Sequence, residues 1–145
     1  MKKVVFVCLG NICRSPMAEF VMKSLTDEYE IESRVTSSWE HGNPIHKGTQ
    51  KIFKAHEIPY DSSKTSQQIS KDDFERFDYI IGMDESNLLD LTRMCPQDQQ
   101  HKIEAFASED VPDPWYTGDF DETYDRVLTG CQAWLTRLEN EAKNG

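Results

Sequence analysis

The stretch VVFVCLGNICRSP, Val4 to Pro16, decides the fold of this 145-residue chain. Its first half, Val4-Val5-Phe6-Val7, is a short apolar run rich in β-branched residues, which predicts a buried strand. Its second half predicts a helix start, with Ser15 as the capping residue and Pro16 at the first helical position. A strand that feeds a helix through a short loop builds an anion site, because the helix's unpaired N–H groups point into that loop. Cys8 and Arg14 bracket the loop, with five residues between them.

Working outward, strand and helix patterns alternate. Met17, Phe20, Val21, Ser24 and Leu25 fall on one helical face. A second strand is expected around Arg34–Ser38, and a second helix over Gly48–His56, stopped near Pro59. Asp78–Met83 predicts a compact buried strand, Asn87–Met94 a helix ended by Pro96, and Ile103–Ala107 a fourth strand. Phe120, Tyr124, Val127, Leu128, Cys131, Leu135 and Leu138 trace an apolar stripe at helical spacing. Four strands alternating with helices imply an α/β fold, a parallel sheet with helices on both faces. In such a sheet every loop after a strand opens on one edge, where ligands bind. The Cys8 loop, the Trp39 region, the Asp84 region and Val111-Pro112-Asp113-Pro114-Trp115-Tyr116 should share that rim.

Composition narrows the function. The net charge is -10, which argues against nucleic acid as a partner. No polybasic stretch suits an anionic membrane, and no apolar run approaches the ~20 residues of a membrane span. The N-terminal Lys2-Lys3 and the short apolar run after them lack a small-residue cleavage site, so a signal peptide is not expected. The four cysteines, Cys8, Cys13, Cys95 and Cys131, form no CxxC pair, which predicts free thiols in a reducing cytoplasm. Residues 1–145 are expected to form one domain. His41, His46, His56 and His101 show no metal-ligand spacing and are expected at the solvated surface; no metal or cofactor is expected.

The loop carries chemistry. Backbone N–H groups converging on one centre, with the planar fork of Arg14, suit a phosphate. A helix N-terminus and a nearby arginine lower a thiol's pKa, so Cys8 is expected to be largely thiolate near neutral pH and able to attack phosphorus. Ser15 can donate a hydrogen bond to that sulfur. Gly10 permits close approach and Asn11 tolerates a left-handed backbone. The plainer reading is a passive anion loop, with Cys8 a small core residue. The loop lacks the GxxxxGK[ST] pattern of nucleotide-binding P-loops. In Val111–Tyr116, the prolines fix the backbone around Asp113, as an acid placed beside a leaving oxygen requires. The alternative is an Asp-Pro turn with Trp115 and Tyr116 tucked into the core.

The residues Val7-Cys8-Leu9-Gly10-Asn11-Ile12-Cys13-Arg14-Ser15-Pro16-Met17-Ala18-Glu19, with Asp113-Pro114-Trp115-Tyr116, resemble the low-molecular-weight protein tyrosine phosphatases. Trp39–Pro44, Phe77–Ile80 and Met83–Leu88 extend the resemblance over nearly the whole chain. It implies a four-stranded parallel sheet in order 2-1-3-4, with Cys8 as nucleophile, Arg14 as phosphate clamp and Asp113 as acid, then base. It further implies that Leu9, Gly10, Asn11, Ile12 and Cys13 form the phosphate-binding loop. Asn11 and Ser15 would hold the loop and the thiolate, and Trp39, Trp115 and Tyr116 would grip an aryl ring. The implied partners are phosphotyrosine proteins or aryl phosphates, with inorganic phosphate as product. Redox control is implied too, with peroxide oxidising Cys8 and Cys13 resolving it as a disulfide. One departure stands out. The family often carries a histidine and an arginine ahead of the third strand, where this chain reads Ser63-Lys64-Thr65-Ser66-Gln67-Gln68.

Three other readings share parts of this pattern. Arsenate reductases have a similar loop and relay a disulfide, for which Cys95 and Cys131 are the available thiols. Some relatives hydrolyse phosphoarginine and carry threonine where this chain has Ile12; an apolar Ile12 suits an aryl ring better than a guanidinium. A phosphotyrosine-binding module would need neither nucleophile nor acid.

Overall fold

The computed structural model describes residues 1–9, 13–37 and 42–144. β1 (Lys3–Cys8) is the central strand, and Val4 to Cys8 are completely buried. Its side chains alternate between two cores. Val4, Phe6 and Cys8 pack with residues of α1 (Arg14–Leu25), α2 (Lys47–Ala55) and α6 (Phe120–Asn144). Val5 and Val7 pack with Phe74 of α3 (Lys71–Arg76) and Leu91 of α4 (Glu85–Met94). Each large apolar side chain buried this way stabilises the fold by about 1.5–3 kcal/mol.

β2 (Glu30–Val35) and β3 (Tyr79–Gly82) flank β1, and β4 (Ile103–Ala105) lies beyond β3. The order is β2-β1-β3-β4, and every pairing is parallel. This is the expected α/β fold, covered on both faces. Among the described residues no helix is long and apolar enough to cross a membrane.

β2 starts four residues earlier than expected, paired from Lys3↔Glu30 to Cys8↔Val35. Its alternating charges, Glu30, Glu32 and Arg34, disguise a strand. Arg34 can be buried there because its Nε lies 3.2 Å from Asp73 Oδ2, its Nη1 2.9 Å from the Ser33 carbonyl and its Nη2 2.8 Å from Glu32 Oε1. Helix α3, not anticipated, starts with a reciprocal capping box between Ser70 and Asp73. A 3-10 turn at Gln97–Lys102 also escaped the sequence pattern. The α6 stripe lies where expected, with Trp134 added: its Nε1 donates to the Phe106 carbonyl at 2.8 Å.

Candidate active site

β1 ends at Cys8, on the carboxyl edge of the sheet, and α1 begins at Arg14. Gly10, Asn11 and Ile12 lie outside the described residues, as do Ser38 to His41, which include Trp39. Residues 8 and 9 are pinned by the chain leaving β2. Thr36 N donates to the Cys8 carbonyl at 3.0 Å and Ser37 N to the Leu9 carbonyl at 2.7 Å. Leu9 is 44% exposed, on the rim.

The helix start differs from expectation. Cys13, not Ser15, is the capping residue, and it makes no side-chain cap. Ser15 lies inside the first turn because its hydroxyl is drawn to the interior, 2.9 Å from Cys8 Sγ. The same hydroxyl donates to the Arg34 carbonyl at 3.4 Å. Pro16 accordingly sits at the third helical position, where its missing N–H is still harmless.

The electrostatics of Cys8 also depart from expectation. Burial pushes its thiol up, and the opposing pulls of the Arg14 guanidinium and the Ser15 hydroxyl and N–H do not overcome it. Cys13 is buried as well, and its thiol is pushed up to about 12, first by burial, then by the Asp113 and Cys8 charges. Thr49 Oγ1 donates to the Cys13 carbonyl at 3.4 Å, tying the loop's end to α2.

Arg14 is 2% exposed. Its Nη1 donates to Asp84 Oδ2 at 2.7 Å and to the Val111 carbonyl at 3.0 Å. Nη2 lies 3.6 Å from Asp113 Oδ2. Nε is buried and has no hydrogen-bond partner among the described residues. Burial opposes the guanidinium's charge, but Cys8, Asp84 and Asp113 outweigh it and hold the pKa above its ordinary value.

Asp84 is the site residue that sequence reasoning missed. It caps α4 in a reciprocal box with Asn87, accepting from Asn87 N at 2.7 Å through Oδ1. That leaves Oδ2 for Arg14. The D-x-x-N spacing before a helix was the available signal.

Asp113 comes from the segment after β4 and caps the short α5 (Pro114–Thr117), its Oδ1 accepting from Trp115 N at 3.0 Å. Gly118 closes that turn at φ 71°, a left-handed conformation that favours glycine. Trp115 and Tyr116 are 62% and 80% exposed. They stand on the rim and not in the core, as the anion-site reading expected. Of the histidines expected at the solvated surface, His56 and His101 are exposed, His46 is half-buried and stacks on Phe120, and His41 lies outside the described residues.

The sequence profile described as low molecular weight phosphotyrosine protein phosphatase matches residues 3–144. The chain belongs to this family. It is 42% identical to the low molecular weight protein-tyrosine-phosphatase PtpA of Staphylococcus aureus, over 98% of this chain and 97% of that protein. Its fold matches SP-PTP, a low molecular weight protein tyrosine phosphatase from Streptococcus pyogenes, with a TM-score of 0.91 and 60% identity over 95% of this chain and 93% of that one. It also matches DARP, described as a Drosophila arginine phosphatase, with a TM-score of 0.85 and 33% identity over 95% and 98% of the two chains.

In the Ser63–Gln68 segment, Lys64 and Ser66 do structural work. Lys64 Nζ lies 3.1 Å from Glu19 Oε1 and donates to the Ser33 carbonyl at 3.2 Å. Glu19 is buried in α1 and also accepts from Ser33 Oγ at 2.6 Å and Lys23 Nζ at 2.7 Å. Ser66 Oγ accepts from Asn43 N at 2.9 Å. The segment therefore ties α1, β2 and residues 42–43 together behind the loop.

Proposed function

We propose that the whole chain, residues 1–145, is one phosphatase domain that hydrolyses phosphotyrosine in proteins, and aryl phosphates, through a phosphocysteine intermediate. The observation that carries this reading is the half-used guanidinium of Arg14. Nη1 is anchored by Asp84 and Val111, Nη2 lies 3.6 Å from Asp113 Oδ2, and the buried Nε has no hydrogen-bond partner among the described residues. A buried N–H without an acceptor costs about 1–3 kcal/mol, and one edge of a guanidinium matches two phosphate oxygens.

The steps follow from the atoms present. Cys8 reacts as its thiolate. Burial resists that form, and Arg14, Ser15 and the amino end of α1 reduce the cost without cancelling it. The sulfur attacks phosphorus, the phosphorus–oxygen bond to the leaving group breaks, and Asp113 gives its proton to the departing oxygen. In the second step the Asp113 carboxylate takes a proton from water. The water oxygen attacks phosphorus, and the phosphorus–sulfur bond breaks with Ser15 Oγ donating to the leaving thiolate. The products are inorganic phosphate and the restored enzyme, with no metal or cofactor in the sequence. The exposed Trp115 and Tyr116, with Leu9 at the mouth, supply walls for an aryl ring, joined in the sequence reading by Trp39.

An arsenate-type disulfide relay fits poorly. Cys95 packs in the core with α4 and Cys131 in the core with α1, on opposite faces of the sheet. The purified chain should hydrolyse p-nitrophenyl phosphate and a phosphotyrosine peptide, and a phosphocysteine should be trapped on Cys8. Cys8→Ser should lose activity by several orders of magnitude yet still bind phosphate. Substantial turnover by Cys8→Ser would remove the proposed nucleophile.

A further inference from the structure

We infer that His46 is a positioning residue that sets the Trp115 side chain as one wall of the aryl-binding site, an inference that rests on the phosphatase reading above. His46 precedes α2, and its Nδ1 accepts from Gly48 N at 2.9 Å, capping the helix. That bond fixes the ring's plane and leaves the proton on Nε2. The ring stacks on Phe120, with centroids 5.2 Å apart and planes 25° apart. It meets Trp115 edge-on, with centroids 5.7 Å apart at 86°.

Phe120 reaches this seat only because residue 48 is glycine. A Cβ there would lie 2.3 Å from Phe120 Cζ, far inside contact distance. Three elements thus converge on one ring: the amino end of α2, the first residue of α6 and the Asp113–Tyr116 turn. Trp115 is largely exposed, so few contacts fix its indole. Its backbone N–H is held by Asp113, two residues upstream. The aromatic edge of His46 fixes the other end, so the wall and the acid move as one unit. A bound aryl ring feels this arrangement, whereas inorganic phosphate, held at Arg14, does not.

His46→Asn separates the two jobs of this residue, because asparagine caps a helix well but offers no ring. The variant should stay folded, melting somewhat below the parent because its stack on Phe120 is lost as well. Its KM for p-nitrophenyl phosphate should rise about 3–10-fold, the range expected for losing one aromatic pair, while competitive inhibition by inorganic phosphate stays unchanged. In a Trp115→Ala background, His46→Asn should add nothing further. Acrylamide should also quench the Trp115 component of fluorescence, obtained by difference from Trp115→Phe, more steeply in His46→Asn. An unchanged KM, a parallel loss of phosphate inhibition, or effects that simply add to those of Trp115→Ala would overturn the assignment. If the parent hydrolyses no aryl phosphate, the phosphatase reading fails, and the quenching difference still decides whether His46 holds Trp115.

Discussion

Two arginines are buried in this protein, twenty residues apart in sequence, and they are used in opposite ways. Arg34 spends all three of its nitrogens on the protein itself, on Asp73, Ser33 and Glu32. Arg76 joins the same acids, at 3.1 Å from Glu32 and 3.5 Å from Asp73. Arg14 has one nitrogen anchored, one at 3.6 Å from a carboxylate, and one with no acceptor among the described residues. A buried arginine whose hydrogen bonds are complete is part of the scaffold. One left with a buried, unpaired donor is built for something that arrives later.

The widest separation should come from removing each guanidinium in turn. Arg14→Met should lower kcat/KM for p-nitrophenyl phosphate by about 10³–10⁵-fold, the scale of a transition-state arginine in phosphoryl transfer. Arg34→Met should instead lower stability, by up to about 3–5 kcal/mol for breaking a buried pair, with activity per folded molecule close to the parent's. Urea melts and initial rates on the same preparations check both. Equal catalytic losses in the two variants would dissolve the contrast.

Asp113→Asn sharpens it, since Asp113 Oδ2 lies 3.6 Å from Arg14 Nη2. Loss of a general acid costs about 10²–10⁴-fold when the leaving group is poor. The first step should lose that much with phosphotyrosine and far less with p-nitrophenyl phosphate, whose phenolate leaves almost unaided. Single-turnover release of the two phenols measures this, and equal losses would show that Asp113 only shapes the rim.

The smallest effect concerns Ser15. Its hydroxyl lowers the Cys8 pKa against the burial that raises it. Ser15→Ala removes a downward pull, so the thiol must titrate higher still. A hydrogen bond to a charged group is worth about 1.5–3 kcal/mol, or roughly one to two pH units. The pH midpoint for iodoacetamide alkylation of Cys8 should therefore move upward, with less thiolate at any given pH. A midpoint that stays put or falls would exclude Ser15 from thiolate support.

The contrast between the arginines also marks what the sequence could reveal. The strand from Val4 and the helix that follows it were legible because apolar β-branched residues, a polar stretch and a helical pattern follow one another, although the helix opens at Arg14 and not after Ser15. Asp113 was legible because two prolines isolate it. Arg34 was not: a charged residue in an edge strand reads as surface until Asp73, thirty-nine residues later, is known to reach it. Ser15 misled for the same reason, since local preference makes it a cap and only the fold places a thiol beside it. Asp84 announced its capping job but not its second oxygen's partner, seventy residues upstream. Local chemistry was readable, and long-range pairing was not.

Arg14 draws its partners from residues 70 and 97 positions further along the chain. The consequence is temporal. During synthesis α1 emerges early, yet the guanidinium lacks Asp84 until α4 begins, and Val111 and Asp113 until the segment after β4 has left the ribosome. Parallel pairings of this span form late, because the closing of long loops precedes their reward. A nascent or truncated chain ending before Val111 should thus be chemically silent, however well its first βαβ unit has formed. Catalytic competence then serves as a marker that the whole chain has folded, and a polypeptide arrested part-way cannot dephosphorylate anything.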